Sequence, residues 1–236
     1  MSFAGHHILI VGGTRGIGRA TATAALALGA RVTATGRTAE SLAALPEGIE
    51  GTPLDFTDPA SVAALAGAIG PLDHLVLSAS DAVAWGPFGE LTEEALRAAF
   101  EAKFWGYWRV IRALAPKLSE AGSITLVTGA AARAALPGTS GLAAVNGALE
   151  AMARVLAVEL APRRVNTVSP GMTATEAYSG MPDEARAGMF AATAAKLPAG
   201  RIGAPEDIAQ AILLAASNPF LTGATLDVDG GAHLAR

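Results

Sequence analysis

Val11-Gly12-Gly13-Thr14-Arg15-Gly16-Ile17-Gly18 is the stretch on which the reading of this chain turns. It follows the apolar run Ile8-Leu9-Ile10-Val11, which reads as a short buried strand, and opens the alanine-rich, helix-favouring stretch Arg19 to Leu28. Strand, glycine turn and helix in that order make a cradle for a phosphate. Gly12 permits a sharp exit from the strand, and Gly16 lets backbone approach a pyrophosphate with no Cβ in the way. Gly18 lets the helix pack close to the sheet, and Thr14, Arg15 and Ile17 line the same turn. The free N–H groups of the helix N-terminus then face the anion. A lone glycine fingerprint is weak, and a turn without a ligand is the competing reading. Here the strand-helix-strand unit closes at Arg31 to Arg37 after about thirty residues, the context such a fingerprint requires.

A chain of 236 residues suits one sizeable domain and is short for two. With 51% hydrophobic and 16% charged residues it can bury a large core. A formal charge of −4 with no basic run argues against nucleic acid or an anionic membrane as partner. There is no cysteine, so disulfide and thiolate chemistry are excluded. The N-terminus lacks a basic segment followed by a long apolar run. The most apolar helical stretch, Leu142 to Leu160, is interrupted by Asn146, Glu150, Arg154 and Glu159. The expectation is a soluble, cytoplasmic protein.

Apolar runs alternate with helical patterns from end to end. Strands are expected at His7–Val11, Arg31–Thr35, Ile49–Leu54, His74–Ser78, Ser123–Thr128, Arg164–Val168 and Thr225–Val228. Helices are expected near Ile17–Leu28, Thr38–Ala44, Pro59–Ala68, Thr92–Leu118, Ser140–Leu160 and Pro205–Ala216. Such alternation with almost continuously apolar strands implies an α/β fold: a doubly wound parallel sheet of seven strands, Rossmann-type, with helices on both faces. One domain is expected over residues 1–236. The long interruption from Pro170 to Gly203 carries its own helical pattern, Asp183 to Ala195. Because ligands in open α/β sheets bind beyond the carboxyl ends of the strands, residues 171–203 are the expected lid.

A site built for NAD places an acid after the second strand to hold the ribose 2′-hydroxyl. No acid occurs between Arg31 and Ala39; the strand ends in Gly36-Arg37, and Arg15 sits within the glycine turn. Two guanidiniums near one ribose suit a 2′-phosphate, which favours NADP(H), against the plainer reading of two solvated arginines. Asp55 is a candidate acceptor for the adenine amino group, or the cap of the turn that follows it.

These features together resemble the short-chain dehydrogenase/reductase superfamily over nearly the whole chain. The resemblance rests on Gly12-x-x-x-Gly16-Ile17-Gly18, Leu54-Asp55, Asp73 to Val76, Gly122-Ser123-Ile124, Val165-Asn166 through Pro170-Gly171, and Asp227-Val-Asp229-Gly230-Gly231. It implies hydride transfer between a nicotinamide and a carbonyl or alcohol carbon, and a homodimer or homotetramer formed through two long helices, here Thr92–Leu118 and Ser140–Leu160. It also places Pro170, Gly171 and Thr175 at the nicotinamide, and Ser78 and Ala79 where an Asn-Ala-Gly segment closes the fourth strand. The family's catalytic residues do not carry over. Leu142 stands where the tyrosine acid belongs, Asn146 where the lysine belongs, Gly129 where the serine belongs and Lys103 where the asparagine belongs.

The asparagine and the lysine have thus exchanged helices. Lys103 is expected to serve the nicotinamide ribose with Asn146 as its hydrogen-bond partner, or else to reach solvent or a partner subunit. Substitute proton donors are Lys103 with a pKa lowered by burial, Ser80, Asp81, Thr128, Ser140 and Tyr178. His6, His7 and His74 lie near strand starts and His233 near the C-terminus, and no His/Asp/Glu cluster shows metal-ligand spacing, so no metal is expected. Leu142 and Gly129, with Trp85, Phe88, Met172, Met181, Met189 and Phe190 nearby, point to a small apolar substrate or to ordinary core. Three functions remain open at this point. They are an NADP(H) oxidoreductase acting on a carbonyl, imine or conjugated substrate with a non-standard donor, a non-redox isomerase or cyclase, and an NADP(H)-responsive binding protein.

Overall fold

The computed structural model describes residues 1–79 and 84–234. Seven strands form one parallel sheet in the order β3-β2-β1-β4-β5-β6-β7. They are β1 His7–Val11, β2 Arg31–Gly36, β3 Ile49–Pro53, β4 Leu72–Leu77, β5 Leu118–Val127, β6 Arg164–Pro170 and β7 Thr225–Val228. The helices are α1 Gly16–Ala27, α2 Ala39–Ala43, α3 Pro59–Ala68, α4 Glu93–Ala99, α5 Gly106–Leu114, α6 Ser140–Glu159, α7 Asp183–Ala194 and α8 Pro205–Ser217.

The two-residue period of a strand sorts the side chains between two cores. From β1, Leu9 and Val11 join the layer where Leu65 of α3, Val110 and Leu114 of α5 and Leu149 of α6 pack. Ile8 and Ile10 face the other way, against Ala22 and Ala25 of α1 and Ile208 and Ile212 of α8. Every central strand is covered on both faces, which is why the strands read as unbroken apolar runs. The winding reverses between β1 and β4, since β2 and β3 add on one side and β4 to β7 on the other. The crevice at the carboxyl ends of β1 and β4 is therefore the ligand-binding position for a sheet of this kind.

One expectation is corrected. The long helix expected over Thr92–Leu118 is broken by a π-helical turn, Phe100–Trp105, between α4 and α5, ends at Leu114 and passes through a 3₁₀ turn, Ala115–Lys117, before β5 starts at Leu118. Among the described residues, α6 is by length and composition apolar enough to cross a membrane. In the fold it lies on the sheet, burying Val145, Leu149 and Ala153 together with Asn146 and Glu150.

The end of α8 is held by a charge. Arg164, buried at the start of β6, donates from Nη1 to the carbonyls of Ala215 at 2.7 Å and Leu221 at 3.1 Å, and from Nη2 to that of Ala216. These are the last-turn carbonyls that a helix cannot satisfy internally, together with one from the loop that follows. Arg164→Met keeps the stem and removes every donor, so it is expected to cost about 2–3 kcal/mol in urea unfolding. A change under about 0.5 kcal/mol would show that water satisfies the helix end equally well.

Candidate active site

At the switch point lies a cleft of about 350 Å³ whose lining includes Gly12, Thr14, Arg15, Gly16, Ile17, Arg37, Ser78, Ala79 and Thr175. The turn that forms it is tied to β2: Gly12 N–H donates to Thr35 Oγ1 at 3.2 Å and Gly13 N–H to the Thr35 carbonyl at 3.1 Å. Gly18 sits beneath, packed so closely on the Gly12 carbonyl that no side chain fits there. Asp55 lies outside the lining and caps its turn, with Oδ1 accepting from Thr57 N–H at 2.9 Å and Thr57 Oγ1 at 2.6 Å. Pro170 and Gly171, at the end of β6, also stand away from this cleft, Gly171 donating to the Val228 carbonyl at 3.1 Å.

The residues present fit a dinucleotide phosphate. No acid occupies the first turn of α1, and the Arg15 side chain does not cap it. Gly16, at φ +53°, instead presents its N–H to a carboxylate from elsewhere in the chain, Glu176 Oε2, at 2.8 Å. A negatively charged oxygen already stands at the helix N-terminus, as its dipole and unpaired N–H groups favour.

Deeper in the fold the structure brings Lys103 and Asn146 together. Lys103, 8% exposed, lies in the π turn and donates from Nζ to Asn146 Oδ1 at 2.8 Å and to the Thr128 carbonyl at 3.0 Å. Burial lowers its pKa to about 8, and Glu150 acts in the opposite direction. Asn146 and Glu150 are four residues apart and so share one face of α6. Glu150 Oε1 accepts from Thr128 Oγ1 at 3.0 Å and Oε2 from Arg133 Nη1 at 2.6 Å. Arg133 also pairs with Asp227. Burial raises the Glu150 carboxyl above its usual range, with Arg133 opposing. Tyr107, one turn beyond Lys103 and fully buried, donates to the Ala79 carbonyl at 2.8 Å and pins this helix to the end of β4. Burial pushes its phenol far above the usual range, so it holds structure and does not exchange protons.

The other candidate donors fare differently. Ser80 and Asp81 lie outside the described residues. The Thr128 hydroxyl is committed to Glu150, and Ser140 is exposed at the start of α6. Tyr178 packs edge-on against Phe190 with ring centres 5.3 Å apart, and burial raises its phenol. Leu142 is half-buried, whereas Trp85 and Phe88, expected in an apolar wall, are exposed. The expectation that no metal-ligand cluster exists is corrected, because folding places ligand atoms of Asp227, Asp229 and His233 within 4.8 Å of one another. Their spacing hid this, since the turn after β7 folds His233 back onto Asp229. Both carboxylates are already engaged, Asp227 with Arg133 and Asp229 with His233 Nδ1 at 2.7 Å.

Gly129 and Asn146 are coupled sterically. A Cβ at residue 129 would lie 2.9 Å from Asn146 Nδ2. Since Lys103 only donates, Oδ1 of Asn146 must face it and the amide nitrogen must face Gly129. Gly129→Ala is therefore expected to cost about 1–3 kcal/mol in urea unfolding. In an Asn146→Gly background the same change is expected to cost under about 0.5 kcal/mol. Equal costs in the two backgrounds would contradict the contact.

A family model described as enoyl-(acyl carrier protein) reductase matches residues 11–233. The chain is similar to D-erythrulose reductase of Gallus gallus, 34% identical over 241 residues that cover 98% of this chain and 97% of the relative. It is also similar to L-xylulose reductase of Homo sapiens, 33% identical over 241 residues, 97% of this chain and 96% of the relative. A solved structure described as a small-chain dehydrogenase in complex with NADPH superposes with a TM-score of 0.84 at 36% identity, covering 97% of this chain and 99% of that one. Matched from the first strand to the turn beyond the last, the chain belongs to the short-chain dehydrogenase/reductase superfamily.

Proposed function

We propose that this chain is an NADP(H)-dependent oxidoreductase that reduces a small apolar carbonyl, imine or conjugated substrate and uses Lys103, not a tyrosine, as its proton donor. The observation that carries the reading is the buried ammonium of Lys103, held by Asn146 and the Thr128 carbonyl. Relatives that act as reductases, and a structural neighbour described with NADPH, support the cofactor and the reaction class.

NADPH, when bound, supplies the hydride. The backbone of Gly12 to Ile17 and the N-terminus of α1 receive the pyrophosphate, and Arg15 and Arg37 hold the 2′-phosphate. Ser78, Ala79 and Thr175, which line the cleft, border the nicotinamide half. Lys103 takes the place of the family lysine at the ribose, reaching it from the opposite helix. Two of its three N–H bonds are committed to Asn146 and Thr128, and the third is the one this reading assigns to the reaction. Glu150 keeps the ammonium charged by its field, and burial keeps it acidic enough to give up a proton near neutral pH. Residues 171–203 close over the substrate. Exposed Trp105, Trp108, Val155 and Val158 lie on the two long helical faces and support pairing of copies through them, as a homodimer or homotetramer.

Purified protein assayed for NADPH oxidation against a ketone, a cyclic imine and a conjugated enone is expected to consume cofactor with at least one class. The acid form of Lys103 is the active one in this direction. kcat/KM is therefore expected to fall as pH rises through about 8, and Lys103→Met is expected to lower kcat by about 100-fold or more. NADPH binding without oxidation by any class would replace this reading with the isomerase, cyclase or binding-protein alternative.

A further inference from the structure

The cofactor cradle already contains an anion, and it belongs to the protein. Glu176 Oε2 sits 2.8 Å from Gly16 N across 160 residues of sequence. The segment that delivers it is anchored at its base by a β-bridge between Thr173 and Gly203. Thr175 Oγ1 then accepts from Ala177 N–H at 3.4 Å and opens the short 3₁₀ turn Glu176–Tyr178. Thr175 is pressed onto the glycine turn: a Cβ on Gly16 would meet its Cβ and Cγ2 at 3.3 Å, and the Glu176 carboxylate at 3.6 Å. Thr175, Glu176 and Ala177 thus form one wall of the cleft, which the glycine turn and the ends of β2, β3 and β4 complete.

We propose that Glu176 is a resident anion of the cofactor-free protein, occupying the pyrophosphate position until the cofactor expels it. Displacement of residues 171–203 and entry of the dinucleotide are then one event. The inference rests on the NADP(H) reading of the cradle. The physical ground is exclusion. One N–H cannot serve a carboxylate and a phosphate oxygen together, and two anions at one helix end repel. Because only the open form binds, apparent affinity is reduced by the fraction of molecules in that form. A carboxylate at a helix N-terminus is strong enough to lower it about threefold to tenfold. The arrangement also shields the cradle from inorganic anions while no cofactor is present.

The test is calorimetric titration of the wild type, Glu176→Gln and Glu176→Ala with NADPH and, separately, with adenosine 2′-monophosphate. The second ligand carries the 2′-phosphate and lacks the pyrophosphate. Expected is NADPH affinity about threefold to tenfold higher in Glu176→Ala, a smaller gain in Glu176→Gln, which keeps an acceptor without the charge, and unchanged affinity for the monophosphate. In the wild type, hydrogen exchange at Gly16 and at 174–178 is expected to change on NADPH addition. Unchanged or weaker NADPH binding by Glu176→Ala would overturn the proposal, and equal gains for both ligands would overturn it in favour of a general charge effect. If neither the wild type nor the variants bind NADPH, the cofactor reading itself fails, and the proposal with it. NADPH binding gained only in the variants supports both.

Discussion

An ammonium placed inside a protein loses its hydration, and it stays charged only where acceptors and counter-charge replace the water. Lys103 meets that constraint in this chain, and much of the fold around it follows from doing so. The helix carrying it widens into a π turn between α4 and α5, an irregularity that recurs at functional sites. The helix facing it supplies Asn146 as acceptor and, one turn on, Glu150 as counter-charge. Residue 129 has no side chain, because the Asn146 amide takes up that volume. Lys103, Asn146 and Gly129 thereby form one arrangement around one cation.

The cofactor end is governed by backbone, not by side chains. A parallel sheet wound in two directions opens a crevice at its switch point, and the glycine turn fills that crevice with N–H groups at the start of α1. Such a helix end attracts an anion whether or not a ligand is bound. Glu176 answers that demand, and the contact links the cradle to the segment beyond β6.

What the sequence revealed follows from what it encodes locally. Apolar runs and glycine spacing are short-range signals, and they located the seven strands, with β1 and β7 placed as observed and β5 starting five residues before the expected Ser123. The larger misses are long-range or register effects. A π turn is a slip in hydrogen-bond register that no residue type dictates, so Phe100–Trp105 read as plain helix. Glu176 is an unremarkable acid in its own neighbourhood and acquires meaning only across 160 residues. Asp227, Asp229 and His233 follow the same logic on a smaller scale. That Lys103 and Asn146 meet was legible because the resemblance assigns both positions to one site. Glu150 was not, since an acid within an amphipathic helix reads as a solvated face until the fold buries it.

The protonation state of Lys103 decides whether this site can deliver a proton. With only three lysines in the chain, Lys103, Lys117 and Lys196, side-chain NMR of isotopically labelled protein resolves each one. Assigned by loss of its signal in Lys103→Met and titrated against pH, Lys103 is expected to deprotonate near pH 8, well below an ordinary lysine. Its signal is also expected to shift on addition of NADPH while Lys117 and Lys196 stay in place. An ordinary lysine titration with no response to NADPH would contradict both the buried ammonium and the proposal that it serves the cofactor.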